Sequence, residues 1–211
     1  MVSSVLILGA CFVVWAVVHS LLASLPVKGW ARRRFGAGVD RWYRLAYVAF
    51  AGVTLAPILG LVAMLPDRTL YSVAAPWRWL MVGGQVLALV ALVVAVMQTG
   101  PSYFLGLAQL FDRQPTESGS LYVCGFYRWV RHPLYLFSII LIWLTPAMTV
   151  NVFTLYALIT LYFVVGSVHE ENRLVAEFGA AYRDYQKQVP RLVPWPGRRY
   201  GCVRGVRHRD A

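Results

Sequence analysis

PLYLFSIILIWLTPAMTVNVFTLYALITLYFVVGSV, residues 133–168, contains no Asp, Glu, Lys or Arg. A helix crosses the hydrocarbon core of a bilayer in about 20 apolar residues, so this run is too long for one crossing. Thr145-Pro146 and Asn151 interrupt it, and a proline breaks the helical hydrogen-bond ladder. The run is expected to be two short helices folded into a hairpin, which returns the chain to the side it left.

Working outward, residues 1–27, 45–66 and 79–111 are also free of Asp, Glu, Lys and Arg, and each is long enough to span. The whole chain is 59% hydrophobic and 14% charged, with a mean hydropathy of +0.58. A soluble domain carries about 25% charged residues, so the composition excludes an ordinary soluble fold. The expected fold class is all-α, a polytopic membrane protein with about five transmembrane helices, a C-terminal helical hairpin and a cytoplasmic cofactor-binding extension. Spans are expected near 3–25, 42–65 (kinked at Pro57) and 77–98, followed by the hairpin. The first run has no basic n-region and no clean small-residue cleavage site, so it reads as a span rather than a signal peptide. Residues 99–131 read as a cytoplasmic connection, with 103–111 lying along the interface.

The final apolar helix is expected to continue out of the bilayer through 169–188, where Leu174, Phe178, Tyr182 and Tyr185 recur at helical spacing. The prolines of VPRLVPWPG then end it. With no internal repeat, residues 1–197 read as a single integral membrane domain, and 198–211 as a basic, flexible cytoplasmic tail.

The net charge of +11 is unevenly placed. Lys28, Arg32, Arg33, Arg34, Arg41 and Arg44 crowd the first loop, whereas the second holds only Asp67, Arg68 and Arg78. Arg113, Arg128 and Arg131 lie in the third, none lies in the 145–151 turn, and the tail is again Arg-rich. Rich and poor loops alternate as the positive-inside rule requires, with the N-terminus outside and the C-terminus cytoplasmic. The location expected on that basis is a bacterial inner membrane. The basic face would meet anionic lipid, which accounts for the charge without nucleic acid. Cys11, Cys124 and Cys202 lack metal-ligand spacing, and the last two fall on the reducing side; neither a metal site nor a disulfide framework is expected.

Polar groups gather at the two ends of the hairpin. Arg131, His132 and Tyr135 stand at its entrance; His169, Glu170, Glu171 and Arg173 stand at its exit. Pro133 suits the first turn of a helix, which places His132 at the helix mouth. Carboxylates against a span are costly unless paired or functional. Arg131 or Arg173 can pair with them, as can the hydroxyls and ammonium of a ligand. Each group alone also has a plain reading: the glutamates as an interfacial anchor, His132 as a helix cap, Tyr135, Tyr182 and Tyr185 as aromatic-belt residues.

The ordered set carries more. YRWVRHPLY, an apolar hairpin, then EENRLVAEFGAAYRDYQKQVPRLVP, spread over 125–194, closely resembles the C-terminal core of the isoprenylcysteine carboxyl methyltransferase family. Phe137 departs from the glycine common at that position in this family. HSLLASLPVKGW (19–30), RWYRLAYVAFAGVTLAPIL (41–59) and FLGLAQL (104–110) look like its NnrU-like and methanethiol S-methyltransferase branch. The resemblance implies S-adenosylmethionine as methyl donor and a small or lipophilic acceptor, with a thiol favoured and a carboxylate possible in principle. Carried over by position, His132, Tyr135, Glu170, Glu171, Tyr182, Tyr185 and Arg191 would hold the donor.

Carboxylates suit its ammonium and hydroxyls, and an arginine suits its carboxylate. A thiol acceptor must react as thiolate, which a nearby cation or a histidine favours; Arg131, Arg173 and His19 are the catalytic candidates. For His19 the plain alternative is a bond to a backbone carbonyl. Two rivals share features with this reading: a nicotinamide-dependent reductase resembling the sterol reductases, and a non-catalytic NnrU-like accessory or haem-binding protein.

Overall fold

The computed structural model describes residues 2–36, 38–99, 121–197 and 199–206. The interfacial segment expected at 103–111 lies outside the described residues. In chain order the elements are helices α1 (Val2–Ala23), α2 (Leu25–Phe35) and α3 (Val39–Met64), strand β1 (Thr69–Ser72) and helix α4 (Trp77–Thr99). Strand β2 (Leu121–Val123), a 3-10 turn (Gly125–Arg128), helix α5 (Pro133–Trp143), strand β3 (Ala147–Thr149), helix α6 (Val150–Gln188) and strand β4 (Val203–Val206) follow.

Among the described residues four helices, α1, α3, α4 and α6, are long and apolar enough to cross a membrane. They leave large side chains such as Leu6, Val14, Val53, Leu87, Val90 and Leu161 exposed, as helices bathed in lipid do. Helix α5 qualifies the expected count of five. It has 11 residues and rises about 16 Å, half the thickness of a hydrocarbon core of about 30 Å. Thr145-Pro146 ends helical geometry there, and the chain enters β3 in extended form.

The contacts divide into two compact units. The first comprises α1, α2, α3, β1, β3 and the start of α6. Ser4 Oγ donates to Pro66 O at 2.9 Å, and Trp15 Nε1 to Thr54 Oγ1 at 3.0 Å, tying α1 to α3. Strand β1 pairs antiparallel with β3. Beside it Asn151, 1% exposed, directs its amide nitrogen at Leu65 O (3.2 Å), Val62 O and Pro66 O (both 3.4 Å). These are carbonyls left over where α3 ends, and every helix end must satisfy such groups.

The second unit holds α4, β2, α5, the rest of α6 and β4. Gln85 Nε2 donates to Leu141 O at 3.0 Å, joining α4 to α5, and Trp143 Nε1 donates to Thr160 Oγ1 at 2.9 Å, joining α5 to α6. Strand β2 pairs antiparallel with β4, and Cys124 forms a disulfide with Cys202. Two expectations change here. The tail read as flexible from 198 is strand at 203–206, and the two cysteines read as unpaired are joined. Neither has a local signature, because strand pairing across 78 residues is fixed only by the fold.

The extension 169–188 is not a straight helix either. Gly179 has φ 56° and ψ −126°, a conformation open essentially to glycine alone. A straight helix would carry Gln186 about 22 Å along the axis from Glu171. Instead Gln186 Nε2 lies 3.0 Å from Glu171 Oε2, so the chain doubles back at Gly179. Leu174, Phe178, Tyr182 and Tyr185 do meet in one core, together with Leu121, Val123 and Val189. A reversal brings them together rather than a single helical stripe.

Candidate functional site

The entrance to α5 is built by backbone contacts. Gln98 Oε1 of α4 accepts the Phe126 N–H at 3.1 Å, and Gly125 sits at φ 60° against the same amide. A Cβ on Gly125 would displace the Gln98 amide from the Phe126 N–H, and the positive φ itself favours glycine. The N–H groups of Arg131 and His132 then donate to Pro190 O (3.0 Å) and Arg191 O (3.1 Å). The RHP segment is thereby laid against the VPR segment. Pro133 opens α5 with His132 at the cap position, but the imidazole makes no capping bond. It turns to the glutamates instead.

Glu171 is the centre of the cluster and is 3% exposed. Its Oε1 lies 3.0 Å from Arg131 Nε and 3.2 Å from His132 Nε2. Its Oε2 accepts from Arg191 Nη2 at 3.2 Å and Gln186 Nε2 at 3.0 Å. A carboxylate has about four acceptor positions; His132, Gln186 and Arg191 fill three by hydrogen bonds, and Arg131 adds an ion pair without one.

Glu170 differs. Its side chain is 37% exposed, and its Oε2 accepts from Tyr135 OH at 3.0 Å and faces His132 Nδ1 at 3.5 Å. Among the described residues its Oε1 has no partner. His132 is stacked on Tyr135 (5.3 Å, 2°), and Tyr135 on Phe163 (4.8 Å, 8°), a column of rings running from the cluster along α5 and α6.

The cluster stands beyond the apolar run that ends at Val168, and its charges sustain each other. Burial disfavours the His132 cation, yet bonds and charge from Glu170 and Glu171 outweigh it and raise the pKa above 6.5. Burial likewise penalises both carboxylates. For Glu170 the His132 bond, the Tyr135 bond and the Arg173 charge prevail; for Glu171 the His132 bond and the charges of Arg131 and Arg191 prevail. Both pKa values fall below 4.5.

Of the residues expected to act together, Arg131, His132, Tyr135, Glu170, Glu171 and Arg191 meet in this cluster. Arg173 is exposed and acts on Glu170 through its charge rather than through an ion pair. Tyr182 and Tyr185 are 2% and 3% exposed, and the Tyr185 hydroxyl donates to Tyr127 O; they support the cluster from the core. His19 belongs to the other unit, where its Nε2 is bonded to the Tyr47 hydroxyl and its ring stacks on Trp15 at 4.7 Å. Gln186 escaped the sequence reading. On a straight helix it would lie about 22 Å along the axis from Glu171, and only the turn at Gly179 brings it in. Concavities of about 210 Å³ (Val2, Val5, Leu6, Val150) and 160 Å³ (Lys28, Asp40, Tyr43, Arg44) contain none of the cluster residues.

A family model described as "Protein of unknown function (DUF1295)" matches residues 3–189. Among curated proteins, a methanethiol S-methyltransferase of Mycobacterium tuberculosis is 31% identical over 196 residues, covering 88% of this chain and 76% of that protein. A methanethiol S-methyltransferase of Crocosphaera subtropica is 28% identical over 206 residues, covering 88% and 73%. The protein-S-isoprenylcysteine O-methyltransferase of Xenopus laevis is 29% identical over 147 residues, covering 67% and 50%. No solved structure matches. The match spans both polar blocks and the apolar helices between them, and on its extent the chain belongs to the DUF1295 family, as a membrane methyltransferase.

Proposed function

We propose that the protein transfers a methyl group from S-adenosylmethionine to a small thiol at the membrane surface. The observation that carries this reading is the division of labour between adjacent glutamates. Glu171 is enclosed by three hydrogen-bond donors and the Arg131 cation, whereas Glu170, held by Tyr135 and His132, keeps Oε1 open. A half-exposed carboxylate fixed in this way suits the hydroxyls and ammonium of such a donor. Arg191 Nε is buried without a hydrogen-bond partner among the described residues, while the side chain as a whole is 39% exposed, which suits the donor's carboxylate. The residues present therefore fit the group.

When bound, S-adenosylmethionine supplies a methyl on a sulfonium. Glu170 and Arg191 hold its charged ends, and the paired rings of His132 and Tyr135 border it. Arg173, one turn from Glu170, lowers the cost of a thiolate acceptor, and Arg131 holds Glu171 in register. Much of the rate in a direct displacement comes from positioning two reactants, and no covalent enzyme intermediate is required. His19 is not needed for this reading. Every relative named above is a methyltransferase, which supports methyl transfer over nicotinamide or accessory roles. The basic loops support a cytoplasmic cluster and C-terminus, with anionic lipid around them, as in a bacterial inner membrane.

The test is calorimetric titration of S-adenosylmethionine into detergent-purified protein and its Glu170→Gln variant, followed by methyl transfer to methanethiol. Tight binding weakened about tenfold in the variant is expected, equivalent to about 1.4 kcal/mol. Equal affinity in both removes Glu170 from the site, and no binding by folded wild-type protein overturns the reading.

A further inference from the structure

We infer that Cys124 and Cys202 form a reversible thiol–disulfide site that fastens the C-terminal strand beneath the donor site, with low-molecular-weight thiols and disulfides as its exchange partners. The bond lies where it can matter. Cys124 immediately precedes the 3-10 turn leading to Arg131 and His132, and Cys202 immediately precedes β4. Among the described residues the tail is also held by Arg128 Nε to Tyr200 O at 2.9 Å, Tyr200 N to Arg128 O at 3.1 Å, Arg199 over the Trp129 ring at 6.0 Å, and the short β2–β4 ladder. Tyr200 packs against Tyr185 at 5.5 Å, and Tyr185 is bonded to Tyr127 O in the core that carries α6 back toward Glu171. A lone two-stranded ribbon is marginal in water, so the covalent link decides whether the tail stays docked. On the orientation proposed above, both sulfurs face the reducing compartment, where a mesophile's disulfides are usually transient or redox-sensing.

The two sulfurs differ in access. Cys124 is 4% exposed, whereas Cys202 is an exposed residue. A small thiolate attacks Cys202 Sγ; the S–S bond breaks, and its electron pair leaves on Cys124 Sγ, which takes a proton from water. A second small thiolate attacks the sulfur of its own kind in the mixed disulfide, releasing Cys202 as a thiolate that is then protonated. Two small thiols are oxidised to one small disulfide, and the protein disulfide is reduced to two thiols. Oxidised glutathione reverses the exchange.

The effect on donor binding rests on the function proposed above; the site itself does not. The full chain in detergent is divided into dithiothreitol-reduced and glutathione-oxidised samples. Each is alkylated and mapped by mass spectrometry, then digested briefly with trypsin. The oxidised sample should protect Cys124 and Cys202 from alkylation and slow cleavage at Arg199. Reduction should expose both thiols and speed that cleavage severalfold. S-adenosylmethionine should bind about tenfold more weakly after reduction and regain affinity on re-oxidation. Cys202→Ser should match reduced wild type in both buffers, while Cys11→Ser should still respond. Free thiols in the oxidised sample, or a tail equally protected in both states, overturns the proposal. Redox-dependent protection with unchanged donor affinity removes the tail from control of the site. Failure to bind the donor in either state sinks the methyltransferase reading and leaves the alkylation and cleavage results to judge the cysteines.

Discussion

The polar clusters around Asn151 and around Glu171 are built in opposite ways. Around Asn151, one neutral amide nitrogen faces three backbone carbonyls at the end of α3, and Asp67 Oδ1 accepts the Asn151 N–H at 3.0 Å. Around Glu171, charged side chains face one another, and backbone N–H groups serve only to align the segments. The first arrangement closes a helix end and presents nothing outward. The second locks one carboxylate so that its neighbour can stay partly open. In an apolar setting the informative contrast is thus between polar groups that complete the backbone and polar groups that position one another.

Glu171→Gln should break that contrast most severely. It keeps the shape but removes the charge from beneath two arginines and a histidine, and leaving buried charge without its partner costs about 3–5 kcal/mol. A large fall in thermal midpoint together with lost donor binding is expected. A stable variant with normal binding would show that the cluster is not held by this carboxylate. Gly179→Ala comes next. Nothing stands within 4 Å of the added Cβ, so the whole effect comes from the positive φ. Forcing a side chain into that region costs about 1–3 kcal/mol. Donor affinity and tryptic resistance after Gly179 should fall together, whereas a purely local strain would leave affinity intact.

Asn151→Ala sharpens the comparison from the other side. Leaving α3 carbonyls unsatisfied costs about 1–3 kcal/mol, yet donor affinity should not change. A binding defect in that variant would mean that the two clusters are coupled. The smallest effect is on pH. The lowered carboxylate values add stability that is complete above pH 4.5 and lost as pH falls through them. The raised His132 value adds stability that is complete below pH 6.5 and lost as pH rises through it. Thermal midpoints should therefore plateau between these limits, and His132→Gln should remove the alkaline decline and also soften the acid one, because the His132 bond helps to hold both carboxylate values down.

The transmembrane helices were legible because uncharged runs need no partner to be recognised. Expected spans at 3–25, 42–65 and 77–98 became Val2–Ala23, Val39–Met64 and Trp77–Thr99. The members of the polar cluster were legible as two blocks in order, since Arg131, His132, Glu170 and Glu171 bracket the hairpin. Their division of roles was not. Glu170 and Glu171 are equivalent in sequence, and only the donors around each one separate them. Gln186 and the Cys124–Cys202 bond were hidden for a related reason. Gln186 depends on the reversal at Gly179 and the disulfide on the tail strand to bring distant residues together, and a glycine within EFGAAYRDY reads as an ordinary helix interior.

The reversal at Gly179 also orders events during synthesis. Arg191 and the Pro190 carbonyl are made after the residues of every apolar helix, yet Arg131, His132 and Glu171 depend on them. A nascent chain halted at residue 188 has therefore made all its membrane segments while two of the partners that complete the cluster are still missing. Insertion and assembly of the site are separate steps, and a stalled or clipped chain can accomplish the first without the second.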